Sequence, residues 1–267
     1  MPVTKNILLI TTGGTIAGQV ASEPDDKKVI QGSEDFMQIL GGALHYLKSI
    51  NGIDINIDSH ALCNVDSSDI LPEHWMELAS IIKKKYDAYD AFIITHGTNT
   101  LGYTCAALSF ALANPKKPIV LTGSQVPAGL PGSDGRTNLE NALRVAVWTR
   151  EEGGIAIKGV VAVFGSHIIT GTRVKKSTEF DYDAFTSFGR GSIGRIGRII
   201  DIDDEVLAKH IGYLKSGTYP EANKASALIC DNDFDMRIAS LTEFPGMDTD
   251  IFKSLVENND IRGFILR

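Results

Sequence analysis

The sequence predicts an α/β fold: a large N-terminal domain with a mostly parallel sheet flanked by helices, then a smaller C-terminal α/β domain that is cut short. Two observations carry this. Apolar runs such as Ile7-Leu8-Leu9-Ile10 and Ala91-Phe92-Ile93-Ile94 are unbroken, as strands buried on both faces must be. Stretches with apolar residues at helical spacing lie between them, and strand–helix alternation implies a parallel sheet with right-handed crossovers.

The elements follow in order. Ile7-Leu8-Leu9-Ile10 is the first strand. Phe36, Ile39, Leu40, Ala43 and Leu47 mark a helix over 33–47 with Ser33 as N-cap. Ile53, Ile55 and Ile57 alternate with polar residues as a second strand. After the polar loop Asp66-Ser67-Ser68-Asp69, Pro72 opens a helix whose apolar face holds Trp75, Leu78, Ala79 and Ile82. Ala91-Phe92-Ile93-Ile94 is the third strand. Leu101, Cys105, Leu108 and Leu112 mark a helix stopped by Asn114-Pro115. Ile119-Val120-Leu121 is the fourth strand, followed by a Gly- and Pro-rich loop from Val126 to Gly135. A helical stripe of Leu139, Ala142, Leu143, Ala146 and Val147 precedes the fifth strand, from Val160 to Phe164.

From 167 to 200 the pattern breaks into short apolar pieces, with a hairpin expected around Gly171. Residues 1–202 read as the N-terminal domain and the polar stretch 203–226 as an interdomain linker. The small domain starts over 227–267, with strands near 227–229 and 237–241, a helix near 249–257 and a last strand near 262–266.

Composition narrows the function. The formal charge is 26 − 33 = −7, and the pI near 5.4 argues against a nucleic-acid surface. No apolar run approaches the roughly 20 residues that span a bilayer, and residues 1–6 hold no signal-peptide core. Cys63, Cys105 and Cys230 are few and widely spaced. They suit a reducing, cytoplasmic setting and form neither a disulfide nor a metal framework. The histidines show no metal spacing either, and no cofactor is expected.

Chemistry concentrates at strand ends. Thr12-Gly13-Gly14-Thr15 directly follows the first strand, on the edge of an open α/β sheet where ligands bind. Three readings compete. It is a plain turn, a phosphate loop, or a turn that presents Thr15 as a nucleophile. The phosphate loop lacks its Gly-Lys-Ser/Thr ending and G-x-G-x-x-G spacing. A second polar-Gly-Thr element, His96-Gly97-Thr98-Asn99-Thr100, ends the third strand. Neighbouring strands would bring the two together, and Gly-rich backbone N–H groups could hold an oxyanion. Lys176 is a candidate base if buried.

These pieces resemble the L-asparaginase/glutaminase family, most closely its intracellular type I branch. The matching stretches are Thr12-Gly13-Gly14-Thr15-Ile16-Ala17-Gly18, Asp66-Ser67-Ser68-Asp69, His96 to Thr100, Ser133-Asp134-Gly135-Arg136, Gly171 to Lys176, Asp183-Ala184-Phe185 and Phe244-Pro245-Gly246-Met247. They run in family order along nearly the whole chain. The resemblance implies a hydrolase that converts L-asparagine to L-aspartate and ammonia through an acyl-threonine. It makes Thr15 the nucleophile, Thr98 the second active-site threonine and Lys176 the lysine that polarises it. The loop of Asp66, Ser67 and Ser68 would hold the substrate's α-groups, and backbone near Gly14 and Thr98 the oxyanion. It also implies a homo-oligomer, a dimer or a dimer of dimers, in which the small domain of a neighbour completes each site.

The chain departs from that pattern in three places. Asn99 stands where the family has Asp, which keeps the shape and loses the charge. Residues 19–44 hold no tyrosine for the family's lid. The sequence stops at Arg267, before the family's small domain is complete. Two further functions therefore stand beside the hydrolase. One is a catalytically silent ligand-binding member that has lost turnover through Asn99. The other is the ammonia-generating component of a tRNA-dependent amidotransferase; its archaeal form carries an extra domain before the first motif, whereas eleven residues precede Thr12 here. His96 reads as a structural hydrogen-bonder, Lys83-Lys84-Lys85 as a solvated helix end, and Arg190, Arg195 and Arg198 as surface ion-pairing groups.

Overall fold

The computed structural model describes residues 3–13, 33–127, 130–149, 157–216, 227–259 and 261–267. The chain begins with β1 (Val3–Gly13), α1 (Ser33–Asn51) and β2 (Ile53–Val65). A 3-10 turn (Ser67–Asp69) leads to α2 (Pro72–Lys85), β3 (Ala91–Thr95), α3 (Leu101–Ala111), β4 (Leu112–Ala113), β5 (Pro118–Thr122) and α4 (Gly135–Ala146). Then come β6 (Gly159–Phe164), β7 (His167–Thr170), a second 3-10 turn (Gly171–Arg173), β8 (Val174–Lys176), β9 (Phe185–Ser187), β10 (Gly194–Ile196) and β11 (Ile200–Ile202). The rest is α5 (Asp204–Ser216), β12 (Ile229–Cys230), β13 (Ile238–Leu241), α6 (Asp250–Asn259) and β14 (Gly263–Leu266).

Eight strands form one sheet in the order β11-β10-β7-β6-β5-β3-β1-β2. From β2 to β6 the neighbours run parallel, and β7, β10 and β11 add antiparallel pairs. β3, β5 and β6 are buried along their whole length. Each is covered on both faces, which is why its sequence is apolar without alternation. Ile7, Leu9, Ile93, Val120, Val161 and Val163 face Leu40 and Leu47 of α1 and Leu139 and Leu143 of α4 in one core. The alternate residues Leu8, Ile10, Phe92 and Ile94 are also buried and point the other way. On that side Tyr86, just past α2, stacks on Phe92 with centroids 6.0 Å apart.

Two expectations are corrected. The hairpin turn falls at Gly165 and Ser166 between β6 and β7, where Phe164 pairs with His167. Gly165 has φ near 54°, which lets two residues reverse the chain. Gly171 instead opens the 3-10 turn into β8. The stretch 203–226, read as a linker, contains α5. Leu207 of that helix is buried, with Val206 and Ile211 packed on the same core, and His210 Nε2 lies 2.6 Å from Lys158 O. The polar residues around this stripe hid it.

Contacts divide the chain into two compact units, 1–232 and 233–267. β12 belongs to the first, paired with β4. In the second, β13 and β14 pair in parallel around α6, and Phe252 meets Phe264 edge-on at 5.7 Å. Among the described residues no helix is long and apolar enough to cross a membrane.

Gly13 decides where β1 can go. Its φ is near 97°, and a Cβ there would lie 2.6 Å from Val65 N. The β1–β2 register shifts at this point, so that Gly13 sits opposite Val65. Gly13→Ala is expected to lower unfolding free energy by roughly 2–4 kcal/mol in urea titrations, from strain plus overlap. Gly212→Ala on the exposed side of α5, where a Cβ meets nothing within 4 Å, is expected to raise it by about 0.5–1 kcal/mol.

Candidate active site

The parallel pairing aligns three strand ends. Thr11 lies opposite Thr95, and Thr95 opposite Thr122. Side chains and backbone tie these ends together. Thr12 Oγ1 donates to Thr95 O at 3.0 Å, and His96 N donates to Thr122 O at 2.9 Å. The end of the first motif strand and the start of the second motif therefore lie side by side. Gly14 and Thr15 follow Gly13 directly but lie outside the described residues, as does the stretch where a lid would begin.

His96 is fully buried and hydrogen-bonded through both ring nitrogens. Nδ1 is 2.7 Å from Gly97 O, which only accepts, so Nδ1 carries the proton. Nε2 then accepts from Thr104 Oγ1 at 2.9 Å, and that hydroxyl accepts from Trp75 Nε1 at 2.9 Å. Burial pushes the His96 pKa down to about 4, with the Gly97 hydrogen bond pulling it slightly back. The imidazole is neutral and engaged on both sides, as a structural group should be.

The 66–69 loop packs onto this second motif. Asp66 caps the 3-10 turn by accepting from Ser68 N at 2.8 Å, and these hydrogen bonds hold its carboxyl below the usual range. Thr100 Oγ1 donates to Ser67 O at 2.5 Å. Gly97 makes the approach possible, because a Cβ there would sit 2.7 Å from Ser67 Cβ and Oγ.

Lys176 is delivered by β8, its side chain 13% exposed. Its Nζ donates to Thr98 Oγ1 at 2.9 Å and to Asn99 Oδ1 at 3.2 Å. Its third contact is an ion pair with Glu179. Asn99 Nδ2 in turn donates to Ser68 Oγ at 3.0 Å. A lysine ammonium has only donors, so the amide must turn Oδ1 to Lys176 and Nδ2 to Ser68. Asp66, Ser67, Ser68, Thr98, Asn99 and Lys176 thus form one connected wall. An ammonium fixed on a threonine hydroxyl is equipped to polarise it, and the adjoining hydroxyls and amide offer polar contacts to a small ligand.

The reading from sequence missed Glu179, and it took Trp75 as apolar face alone. Glu179 stands three residues from Lys176 in a polar turn, where nothing local marks it. Lys83 is also more than a solvated helix end, since its ammonium donates to Leu228 O. Among the described residues no group of three or more His, Cys, Asp or Glu could hold a metal ion.

Comparison with known proteins agrees on a single family. The family profile for the N-terminal part of asparaginases matches residues 6–207. An L-asparaginase of Thermococcus kodakarensis is 31% identical over 254 residues, covering 95% of this chain and 68% of that protein. A component of the glutamyl-tRNA(Gln) amidotransferase of Methanococcus maripaludis is 28% identical over 266 residues, covering 99% of this chain and 59% of that one. Among solved structures, the thermostable L-asparaginase from Thermococcus kodakarensis superposes with a TM-score of 0.76 at 29% identity, over 98% of this chain and 70% of that one.

The state of His96 has a consequence for stability. Its pKa lies below the ordinary 6.5 in the folded protein, so the unfolded chain takes up the proton first as pH falls. Folding stability is full above pH 6.5 and is lost towards pH 4, by roughly 3 kcal/mol for this group. Urea midpoints measured across that range are expected to fall more steeply for the wild type than for His96→Gln. Buried His210, also shifted down by burial, leaves the variant a residual slope of the same sign.

Proposed function

Since the chain belongs to the asparaginase family, we propose that it hydrolyses L-asparagine to L-aspartate and ammonia through an acyl-enzyme on Thr15. The observation that carries this reading is the 2.9 Å hydrogen bond from Lys176 to Thr98, beside the strand end that leads into Thr15. In this reading the Thr15 hydroxyl attacks the side-chain amide carbon of the substrate. Backbone N–H groups at Gly14 and Thr98 hold the oxyanion, and the proton given up by the Thr15 hydroxyl passes to the amide nitrogen, which leaves as ammonia. Thr98, polarised by Lys176, then directs water onto the acyl ester. Asp66, Ser67, Ser68 and Asn99 hold the substrate's α-groups. The protein acts in the cytoplasm as a homo-oligomer and uses no cofactor.

Asn99 favours a second reading, a family member that binds the amino acid and turns it over poorly. Ordinarily a carboxylate would meet the substrate's α-ammonium; the amide offers it a single carbonyl already engaged by Lys176. The similarity to an amidotransferase component along 99% of this chain keeps a third reading, an ammonia source for a partner enzyme. Ammonia release from L-asparagine by the wild type supports the first. Release only after Asn99→Asp supports the second. Release only with a charged tRNA and a partner enzyme supports the third.

Thr15→Ala is expected to leave urea stability unchanged and to lower kcat at least about a thousandfold, as loss of a nucleophile does. Activity equal to wild type would assign the attack to another group.

A further inference from the structure

The Lys176 ammonium has three protons and three acceptors: Thr98 Oγ1, Asn99 Oδ1 and a Glu179 carboxylate oxygen. The first two are neutral. Among the described residues Glu179 is the carboxylate paired with this lysine. Its place is fixed by the excursion between β8 and β9 that carries it. At one end, Ser177 N and Oγ both donate to Ala184 O, at 2.8 and 3.1 Å. At the other, Asp183 accepts from Ser166 N at 2.7 Å and from Ser166 Oγ at 3.1 Å. Between them Phe180 N donates to Thr178 Oγ1 at 3.1 Å. The loop is closed at its base, and Glu179 is turned back towards the strand it has just left.

We infer that Glu179 is a positioning residue that supplies, from this loop, the anion that Asn99 does not provide beside Lys176. With all three donors engaged, the ammonium has a fixed tilt, and the tilt sets the line from Nζ to Thr98 Oγ1. Without the negative charge of the carboxylate, only neutral acceptors hold the ammonium, and nothing of opposite charge keeps it from rotating off Thr98 towards solvent. The role is directional. The Glu179 side chain is 77% exposed, and an ion pair of that exposure adds little to folding stability. The inference rests on the reading of Lys176 and Thr98 as a working pair, and its test separates the two.

Four proteins are compared in their full chains: wild type, Glu179→Gln, Asn99→Asp and the double variant. Glu179→Gln is expected to leave the urea midpoint unchanged and to lower kcat for L-asparagine about tenfold or more, with KM moving less than about threefold, the scale of one charge-assisted hydrogen bond. In the Asn99→Asp background the same change is expected to cost less than about threefold, because position 99 again carries an anion. Equal losses in both backgrounds, or no loss in the wild type, overturn the inference. A readout independent of turnover is trace acetylation with acetic anhydride, scored by mass spectrometry as Lys176 relative to exposed Lys84. Glu179→Gln is expected to speed Lys176 labelling several-fold, and an unchanged ratio overturns the inference. A wild type that releases no ammonia refutes the hydrolase reading, and the labelling ratio then decides on Glu179 by itself.

Discussion

The alignment of three strand ends underlies everything else at the candidate site. Parallel pairing puts Thr11, Thr95 and Thr122 in one row, and each strand then delivers its next residues to the same edge. The row is closed by hydrogen bonds that cross it, from Thr12 to Thr95 and from His96 to Thr122. Polar backbone at the end of a buried strand has to be satisfied, and here the satisfaction is lateral. A shift of one strand would separate the two Gly-Thr motifs and break the pairing of the buried backbone groups.

The second layer of support is the chain from Trp75 through Thr104 and His96 to the Gly97 carbonyl. It links α2, α3 and the turn after β3 inside the apolar core. A buried polar chain of this kind is stabilising only when every member is paired. Each donor in it meets an acceptor. The Gly97 carbonyl is held from within the core, so the same peptide plane turns the Thr98 N–H the opposite way.

Much of this was legible in the sequence. The parallel core strands are continuous apolar runs, and the two motifs follow them directly, so the edge that carries the site could be read from residue order. The tie from Lys176 to Thr98 came with the family resemblance, since no local pattern links residues 78 positions apart. What stayed hidden was of another kind. The stripe of α5 is short and flanked by charges, so composition suggested a linker. The β6–β7 turn uses Gly165, a less conspicuous glycine than Gly171. Glu179 resembles any loop carboxylate until the fold bends its loop back on Lys176. Thr15 and Gly14 lie outside the described residues, and their roles rest on the motif.

The contact between Asn99 and Ser68 has a consequence for the charge that the wall can carry. Asn99 Nδ2 donates to Ser68 Oγ, so this hydroxyl is used as an acceptor and its own proton is turned away from the amide. That proton goes to the Asp66 carboxylate, whose pKa the hydrogen bond helps to lower; a carboxylate at position 99 would compete with Asp66 for it. With the amide in place, Ser68 is satisfied on both sides within the wall, as acceptor from Asn99 and as donor to Asp66. Position 99 therefore decides whether Ser68 bridges an amide and a carboxylate or holds one proton between two carboxylates.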